Sequence, residues 1–369
     1  MTAQDLTEEA PAPLRAVETP QRVATAVSVI MPVLNEERYL AESVRRVLAQ
    51  EYDGEVEIVL AVGPSKDRTA EIAGQLAATD PRIVLVDNPA GRTPHALNAA
   101  IAATQHPYVV RVDAHGFLPD GYLRDVVGLL DATGAANVGG MMRVEGETSF
   151  GKAVAVAMSS PLGIGGSKFH VGGEPGPART VYLGAFRRDV LVEVGGFDEH
   201  FLRAQDWELN YRLRQAGHTV WFTPHLAVTY RPRRDFRALR RQFFGSGQWR
   251  RQIVDAHPET ASLRYLAAPV VTGAVGMGAL LGLIAVVGLL LGVPVLRGSG
   301  AGWLPAGFLA PLGYAAGVLV ATYFMGRGLP WRARVLLPFV VATMHLSWGT
   351  GFLRSIPRSQ RRPNRGTEQ

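Results

Sequence analysis

The most constraining feature of this chain is a long apolar stretch near its C-terminal end. "LAAPVVTGAVGMGALLGLIAVVGLLLGV", residues 266–293, contains no Asp, Glu, Lys or Arg. A helix needs about 20 apolar residues to cross roughly 30 Å of hydrocarbon, and this stretch exceeds that length. A buried core helix of such length would normally keep a polar face. The stretch therefore predicts a membrane-spanning helix.

Two more apolar stretches follow the first. "WLPAGFLAPLGYAAGVLVATYFM", residues 303–325, contains two prolines, and "VLLPFVVATMHLSWGTGFL", residues 335–353, contains Pro338 and His345. We predict a membrane region over residues 265–353 with two to three helices. The polar residues of the third stretch leave open whether it crosses fully.

The arginines predict an orientation. Five precede the first span within residues 240–264, three follow the second within 327–334, and only Arg297 lies between these two spans. Because positive residues favour the cytoplasmic side, we expect a multi-pass protein of the cytoplasmic membrane whose N-terminal domain faces the cytoplasm. The basic tail, residues 354–369, would break this rule if the third stretch crossed. That stretch is then re-entrant or interfacial, or the rule fails here.

Composition limits the remaining classes. The chain has no cysteine, which excludes disulfides, thiolate metal sites and cysteine nucleophiles. Its formal net charge is +6, but much of the arginine excess flanks the apolar stretches, so a nucleic-acid partner is not expected. Residues 1–24 are polar and contain prolines, which predicts a disordered leader. Residues 236–264 are rich in arginine and aromatic side chains, which favours an interfacial amphipathic segment with Trp and Arg anchors.

The N-terminal part alternates between strand-like and helical patterns. Buried-type strands are predicted at residues 26–34, 56–63, 82–88 and 108–114. Helices should follow the first three, capped by Asn35, by Ser65 or Asp67, and by Thr93. This order predicts a parallel sheet covered by helices on both faces, with the ligand at the carboxyl ends of the strands. No G-x-G-x-x-G occurs at the first turn, which disfavours a dinucleotide cofactor.

Five stretches resemble the successive motifs of one family. They are "VSVIMPVLNEERYL", "GRTPHALNAAI", "VRVDAHG", "TVYLGAFRRDVLVEVGGFDEHF" and "QDWELNYRLRQAG". In this order and spacing they resemble the family-2 inverting glycosyltransferases of the GT-A fold, closest to the succinoglycan-biosynthesis ExoA-like group. The resemblance covers about residues 25–250. It implies an α/β GT-A domain, assigned to residues 25–235, followed by transmembrane helices.

The resemblance also implies a metal site. The D-x-D motif of the family corresponds here to Asp113-Ala114-His115, so Asp113 and His115 are the expected ligands of Mn²⁺ or Mg²⁺. Both ions favour carboxylate oxygen and take few protein ligands beside phosphate and water. On the residues alone, Asp113 could equally cap a turn, with His115 an ordinary loop residue.

The resemblance places a catalytic base in "QDWELN". An inverting transfer needs one carboxylate to accept the proton of the acceptor hydroxyl. Asp206 is the candidate, Gln205 stands where the family commonly has glutamate, and Glu208 is expected to be structural. Both carboxylates also suit the N-terminal turn of a helix.

Nucleotide binding is expected at Pro32, Val33, Asn35, Glu36, Arg92 and Asp113. Arg92 would donate to the diphosphate. Val62 stands where the family usually has an aspartate, which leaves the nucleotide base open. Gly184 and Ala185 are expected to allow close approach of a sugar.

We therefore expect a membrane-anchored hexosyltransferase that uses a nucleoside-diphosphate sugar and a lipid-linked or polysaccharide acceptor in cell-surface glycan synthesis. Two alternatives remain from sequence: a polyprenyl-phosphate monosaccharide synthase, and a non-catalytic GT-A scaffold subunit, which the Val62 departure motivates.

Overall fold

The computed structural model describes residues 25–292 and 304–354. It contains one eight-stranded sheet in the order β3-β2-β1-β4-β7-β5-β8-β6. The strands are β1 (Val27–Val33), β2 (Val56–Val62), β3 (Ile83–Asp87), β4 (Tyr108–Arg111), β5 (Asn137–Val144), β6 (Gly176–Pro177), β7 (Tyr182–Arg187) and β8 (Val220–Tyr230). The predicted leader and most of the predicted tail lie outside the described residues.

Thirteen α-helices are present in the described ranges. They are α1 (Leu40–Leu48), α2 (Thr69–Thr79), α3 (Thr93–Ala103), α4 (Tyr122–Thr133), α5 (Ser149–Met158), α6 (Pro161–Ile164), α7 (Lys168–Val171), α8 (Arg188–Glu193), α9 (Gln205–Gln215), α10 (Phe236–Ala256), α11 (Leu263–Leu290), α12 (Leu309–Met325) and α13 (Trp331–Leu353).

The first four strands form the parallel half of the sheet. Strand β1 pairs in parallel with β2 and with β4, and β2 pairs in parallel with β3. Val29 and Met31 pack into one hydrophobic cluster while Ile30 packs into another, because successive side chains of a strand point to opposite faces. The parallel α/β prediction is confirmed here. Beyond β4 the sheet is mixed, since β7 pairs antiparallel with both β4 and β5.

Two helices begin later than predicted. Helix α1 begins at Leu40, and Asn35 instead adopts a left-handed conformation with φ of 56°. Its backbone N–H donates to Ser65 Oγ at 3.0 Å, and its side-chain Oδ1 accepts from Lys66 N–H at 2.8 Å. These bonds tie Asn35 to the loop after β2, so its side chain does not cap α1. Helix α2 begins at Thr69, whose N–H and hydroxyl donate to Asp67 Oδ1.

Three helices are long and apolar enough to cross a membrane: α11, α13, and α12 with the short 3-10 turn before it. Of these α13 is the most buried within the protein. Leu337, Val340 and Met344 of α13 pack into a cluster with residues of α5 and α10. His345 Nε2 lies 2.8 Å from the Leu162 carbonyl oxygen in α6. Helix α13 therefore packs directly against the α/β domain.

Helix α10 differs in one respect from the predicted interfacial segment. Trp249, expected as a membrane anchor, is buried, and its ring centroid lies 6.1 Å from that of Phe201. It anchors α10 to the α/β domain, because an indole covered by protein side chains cannot reach the lipid interface.

The contact between α10 and α13 depends on glycine. A Cβ on Gly247 would overlap the Trp348 carbonyl oxygen, whereas a Cβ on Gly128 in α4 would meet no atom within 4 Å. Gly247→Ala should therefore force the helices apart and destabilise the protein by about 1–3 kcal/mol. Gly128→Ala should stabilise it by about 0.5–1 kcal/mol, since alanine favours helix. Thermal unfolding of both variants in detergent measures the difference. Equal melting temperatures would show that α10 and α13 do not pack as described.

Candidate active site

The site lies at the carboxyl end of β4. Arg111 is the last residue of that strand, and Asp113 and His115 follow it. Asp206 approaches from another element, the first turn of α9, after Ala204 in a left-handed conformation with φ of 59°. The two predicted carboxylates, Asp113 and Asp206, are thus brought to one place from distant parts of the chain.

A buried arginine joins these two carboxylates. The Arg111 side chain is only 4 % exposed. Its Nε and Nη2 donate to Asp113 Oδ1 at 3.1 and 2.9 Å, and its Nη1 donates to Asp206 Oδ1. Arg111 was not among the predicted site residues. Two signals pointed to it: a charge in an otherwise apolar strand, and a position two residues before Asp113, which places both side chains on one face.

The pKa values of the two aspartates that Arg111 binds are shifted in opposite directions. Burial works to raise the pKa of Asp113, but the positive charges of Arg111 and His115 and the Arg111 hydrogen bonds outweigh it, so the pKa lies below its ordinary value. The pKa of Asp206 lies above its ordinary value, because burial and the Asp113 charge outweigh Arg111. Asp113 is therefore held as a carboxylate, while Asp206 binds a proton more readily than an ordinary aspartate.

His115 contacts a second predicted residue. Its Nδ1 lies 2.8 Å from Glu36 Oε1, and its ring centroid lies 6.4 Å from that of Tyr230. Burial works to lower the pKa of His115, but the Glu36 hydrogen bond and the Asp113 charge outweigh it, so the pKa is raised. The pair ties the end of β4 to the loop after β1.

The loop after β1 is braced by the loop after β2. The Glu36 N–H donates to Thr69 Oγ1 at 2.7 Å, and the Glu37 N–H donates to Asp67 Oδ2 at 3.3 Å. Ser65, which accepts from the Asn35 N–H, is the third side chain of this loop that holds the loop after β1. These side chains accept hydrogen bonds from the backbone of the loop after β1 and hold it in place.

Three further residues predicted to bind the nucleotide, Pro32, Val33 and Arg92, differ in how exposed their side chains are. Pro32 is partly exposed in β1, whereas the Val33 side chain is buried in the core and its carbonyl accepts from the Gly63 N–H. Arg92 is exposed just before α3, beside β3. Strand β3, which precedes Arg92, lies three strand spacings, roughly 14 Å, from β4 along the sheet.

Two residues expected to approach a sugar lie in the core instead. A Cβ on Gly184 would overlap Asn137 and Phe186, and Ala185 is fully buried. That expectation was wrong, because both residues lie inside β7, in the middle of the sheet. Glu208 is structural, as expected: it is buried and binds Arg212, which also holds the carbonyls of Val194 and Gly196.

Two atoms after β4 are free of hydrogen bonds to the described residues and are therefore available to a divalent cation. Both Arg111 bonds to Asp113 fall on Oδ1, and no hydrogen bond to Oδ2 is found within the described residues. Because Nδ1 of His115 lies beside Glu36, Nε2 of His115 is the second atom available to bind a metal ion. No cluster of three or more His, Asp or Glu suited to a metal occurs in the part of the chain that the structure describes. A site with few protein ligands suits an ion that takes its other ligands from phosphate and water.

Comparison with known proteins agrees with this architecture. The family model for glycosyl transferase family 2 matches residues 28–195. The chain is 34 % identical to the succinoglycan biosynthesis protein ExoA of Rhizobium meliloti, over 92 % of this chain and 97 % of that protein. The chain belongs to glycosyltransferase family 2.

A further relative of this family 2 glycosyltransferase and one solved structure are informative. A dolichyl N-acetyl-alpha-D-glucosaminyl phosphate 3-beta-D-2,3-diacetamido-2,3-dideoxy-beta-D-glucuronosyltransferase of Methanococcus voltae is 25 % identical over 60 % of this chain and 71 % of its own. The structure of mannosyltransferase PcManGT from Pyrobaculum calidifontis superposes with a TM-score of 0.53 at 19 % identity, covering 89 % of each chain. The second similarity shows the GT-A fold.

Arg111 should be needed for stability. Arg111→Met leaves two neighbouring carboxylates without their buried counterion, which should cost about 3 kcal/mol of stability. In Arg111→Met/Asp206→Asn the repulsion is relieved, so the double variant should be more stable than Arg111→Met alone. Arg111→Lys keeps the charge and should fall between wild type and Arg111→Met. Denaturant unfolding compares wild type, Arg111→Met, Arg111→Lys, Asp206→Asn and the double variant. Additive losses in the double variant would show that Arg111 and Asp206 do not interact.

Proposed function

We propose that this enzyme transfers a hexose, with inversion, from a nucleoside-diphosphate sugar to a lipid-linked or polysaccharide acceptor. The observation that carries the proposal is the meeting of Asp113 and Asp206 through Arg111 at the carboxyl edge of the sheet. One carboxylate held ionised and one with a raised pKa provide the two roles that an inverting transfer needs.

The relatives support the donor and the acceptor class. PcManGT was solved in complex with GDP-Man and Mn²⁺, which supports a nucleotide sugar and a divalent cation here. The Methanococcus voltae relative is named for a dolichyl-phosphate-linked sugar acceptor, which favours addition to a lipid-linked sugar. The similarity to ExoA supports a role in exopolysaccharide synthesis.

The residues divide the reaction between them. Asp206 accepts the proton of the acceptor hydroxyl as that oxygen attacks the anomeric carbon from the face opposite the leaving diphosphate. Asp113 and His115 would hold Mn²⁺ or Mg²⁺, which supplies Lewis-acid stabilisation of the diphosphate. Pro32, the Val33 backbone, Asn35 and Glu36 border the nucleoside, and Arg92 donates to the diphosphate.

The packing of α13 favours one membrane arrangement. We propose that α11 and α12 cross the membrane, while α13, which packs against α5, α6 and α10 as well as against α12, stays on the cytoplasmic side. This arrangement keeps the catalytic domain and the basic tail on the same cytoplasmic side, which satisfies the arginine distribution. The acceptor is then reached at the cytoplasmic face.

Asp113→Asn and Asp206→Asn should fail at different steps. Loss of a general base lowers the rate by about 10²–10⁴-fold. Asp206→Asn should therefore lose transfer yet still bind the donor with Mn²⁺, whereas Asp113→Asn should lose both. Isothermal titration of each protein with UDP-, GDP- and dTDP-sugars and Mn²⁺, beside a transfer assay, measures the two steps. Full transfer activity in Asp206→Asn would show that Asp206 is not the catalytic base.

Because the chain lacks cysteine, single introduced thiols can report the membrane arrangement. Arg354→Cys, at the end of α13, should react with an impermeant reagent in inside-out vesicles, like Gln75→Cys on the exposed face of α2. Ser299→Cys, in the connection between α11 and α12, should react in right-side-out vesicles. Labelling of Arg354→Cys in right-side-out vesicles would mean that α13 crosses.

A further inference from the structure

Two arginines from separate segments meet one face of α10. Arg203 precedes α9 by two residues, and its Nε lies 3.1 Å from where a Cβ on Gly245 would stand. Arg233 follows β8, and its Nε donates to Gln242 Oε1 at 3.2 Å. Gln242 and Gly245 are three residues apart on α10, which places them on one face of the helix. The two guanidinium groups therefore lie close together.

This pair of arginines borders the candidate active site. Arg203 is three residues before Asp206 in sequence. On the other side, Gln242 Nε2 donates to the Tyr230 hydroxyl at 3.3 Å, and the Tyr230 ring packs near His115. The pair is thus connected to Asp206 through the chain and to His115 through Gln242 and Tyr230.

Neither arginine forms an ion pair with a carboxylate in residues 25–292 and 304–354. Two other arginines near the site do. Arg111 binds two aspartates, and Arg231 lies 3.6 Å from both Glu145 and Glu147. Much of the Arg203 side chain is exposed, but its guanidinium group is partly buried. This burial and the nearby Arg233 charge lower the pKa of Arg203. Two neighbouring cations repel each other, and an anion with several oxygens would offset that repulsion while accepting from both forks.

We propose that Arg203 and Arg233 form a phosphate-binding pair that closes the active site on the α10 side. This inference rests on the proposed function and deepens it by assigning residues to a phosphate. The phosphate has two possible sources: the diphosphate of the sugar donor, or the phosphate of the lipid carrier on the acceptor. Gln242, on the same face of α10 as the pair, contacts Tyr230 near His115, and α10 leads through a short turn into helix α11. These two connections make both sources candidates.

The test compares charge removal at the pair with the same change at a paired arginine. Arg203→Gln, Arg233→Gln and the double variant are measured beside Arg231→Gln, which lies two residues from Arg233 but has carboxylate partners. One arm titrates inorganic pyrophosphate, UDP and GDP with Mn²⁺. The other measures binding of radiolabelled polyprenyl phosphate and of polyprenol, which lacks the phosphate, to the detergent-purified full chain.

Each substitution at the pair should weaken phosphate binding about tenfold, because a charge-assisted hydrogen bond is lost. A loss confined to pyrophosphate and nucleotide identifies the donor as the source, and a loss confined to polyprenyl phosphate identifies the acceptor. Polyprenol binding should not change. The double Lys variant should keep part of the affinity, since the charge remains without the planar fork.

The proposal is overturned if the double Gln variant, folded by its melting temperature, binds every phosphate probe as tightly as Arg231→Gln. That result would leave the proposed function intact, because wild type would still bind nucleotide with Mn²⁺. Failure of wild type to bind any nucleotide with Mn²⁺ would instead contradict the proposed function, and with it this assignment.

Discussion

The site depends on one buried cation. Arg111 ends β4, is almost wholly covered, and holds Asp113 and Asp206 at the same time. Removing a guanidinium from water is costly, and carboxylate partners must compensate for that cost. The end of β4 and the start of α9 are therefore fixed relative to each other by electrostatics as well as by packing. The proposed roles of the two aspartates follow from their opposite pKa shifts: the pKa of Asp113 is lowered and that of Asp206 is raised.

Around this ion pair, the protein uses one loop to support another. The loop after β1 presents Asn35 and Glu36, and polar residues after β2 hold its backbone in place. Glu36 in turn holds His115. The site is thereby assembled from three segments that each end a strand or begin a helix, which is where parallel α/β sheets bind their ligands.

Helix α10 connects this site to the membrane region through two different faces. Gln242 and Gly245 face the site, where they contact Arg233 and Arg203. Phe243 and Gly247 face α13, where the absence of a Cβ on Gly247 permits close backbone contact. A phosphate held by the two arginines would therefore lie on a helix that is itself packed against the membrane region. In the proposed reaction, a lipid-borne acceptor would approach the donor along this helix.

The sequence by itself determined the four parallel strands, the apolar helices and the family, because periodicity and length are local properties that burial and lipid enforce. It also supplied Asp113, Asp206 and Glu36 through their place in motifs. Tertiary structure alone decided that Arg111 joins the two aspartates, that Gly184 and Ala185 are core residues, and that α13 packs against α5 and α10. These depend on contacts between residues distant in the chain, and neither spacing nor composition encodes which side chains meet there.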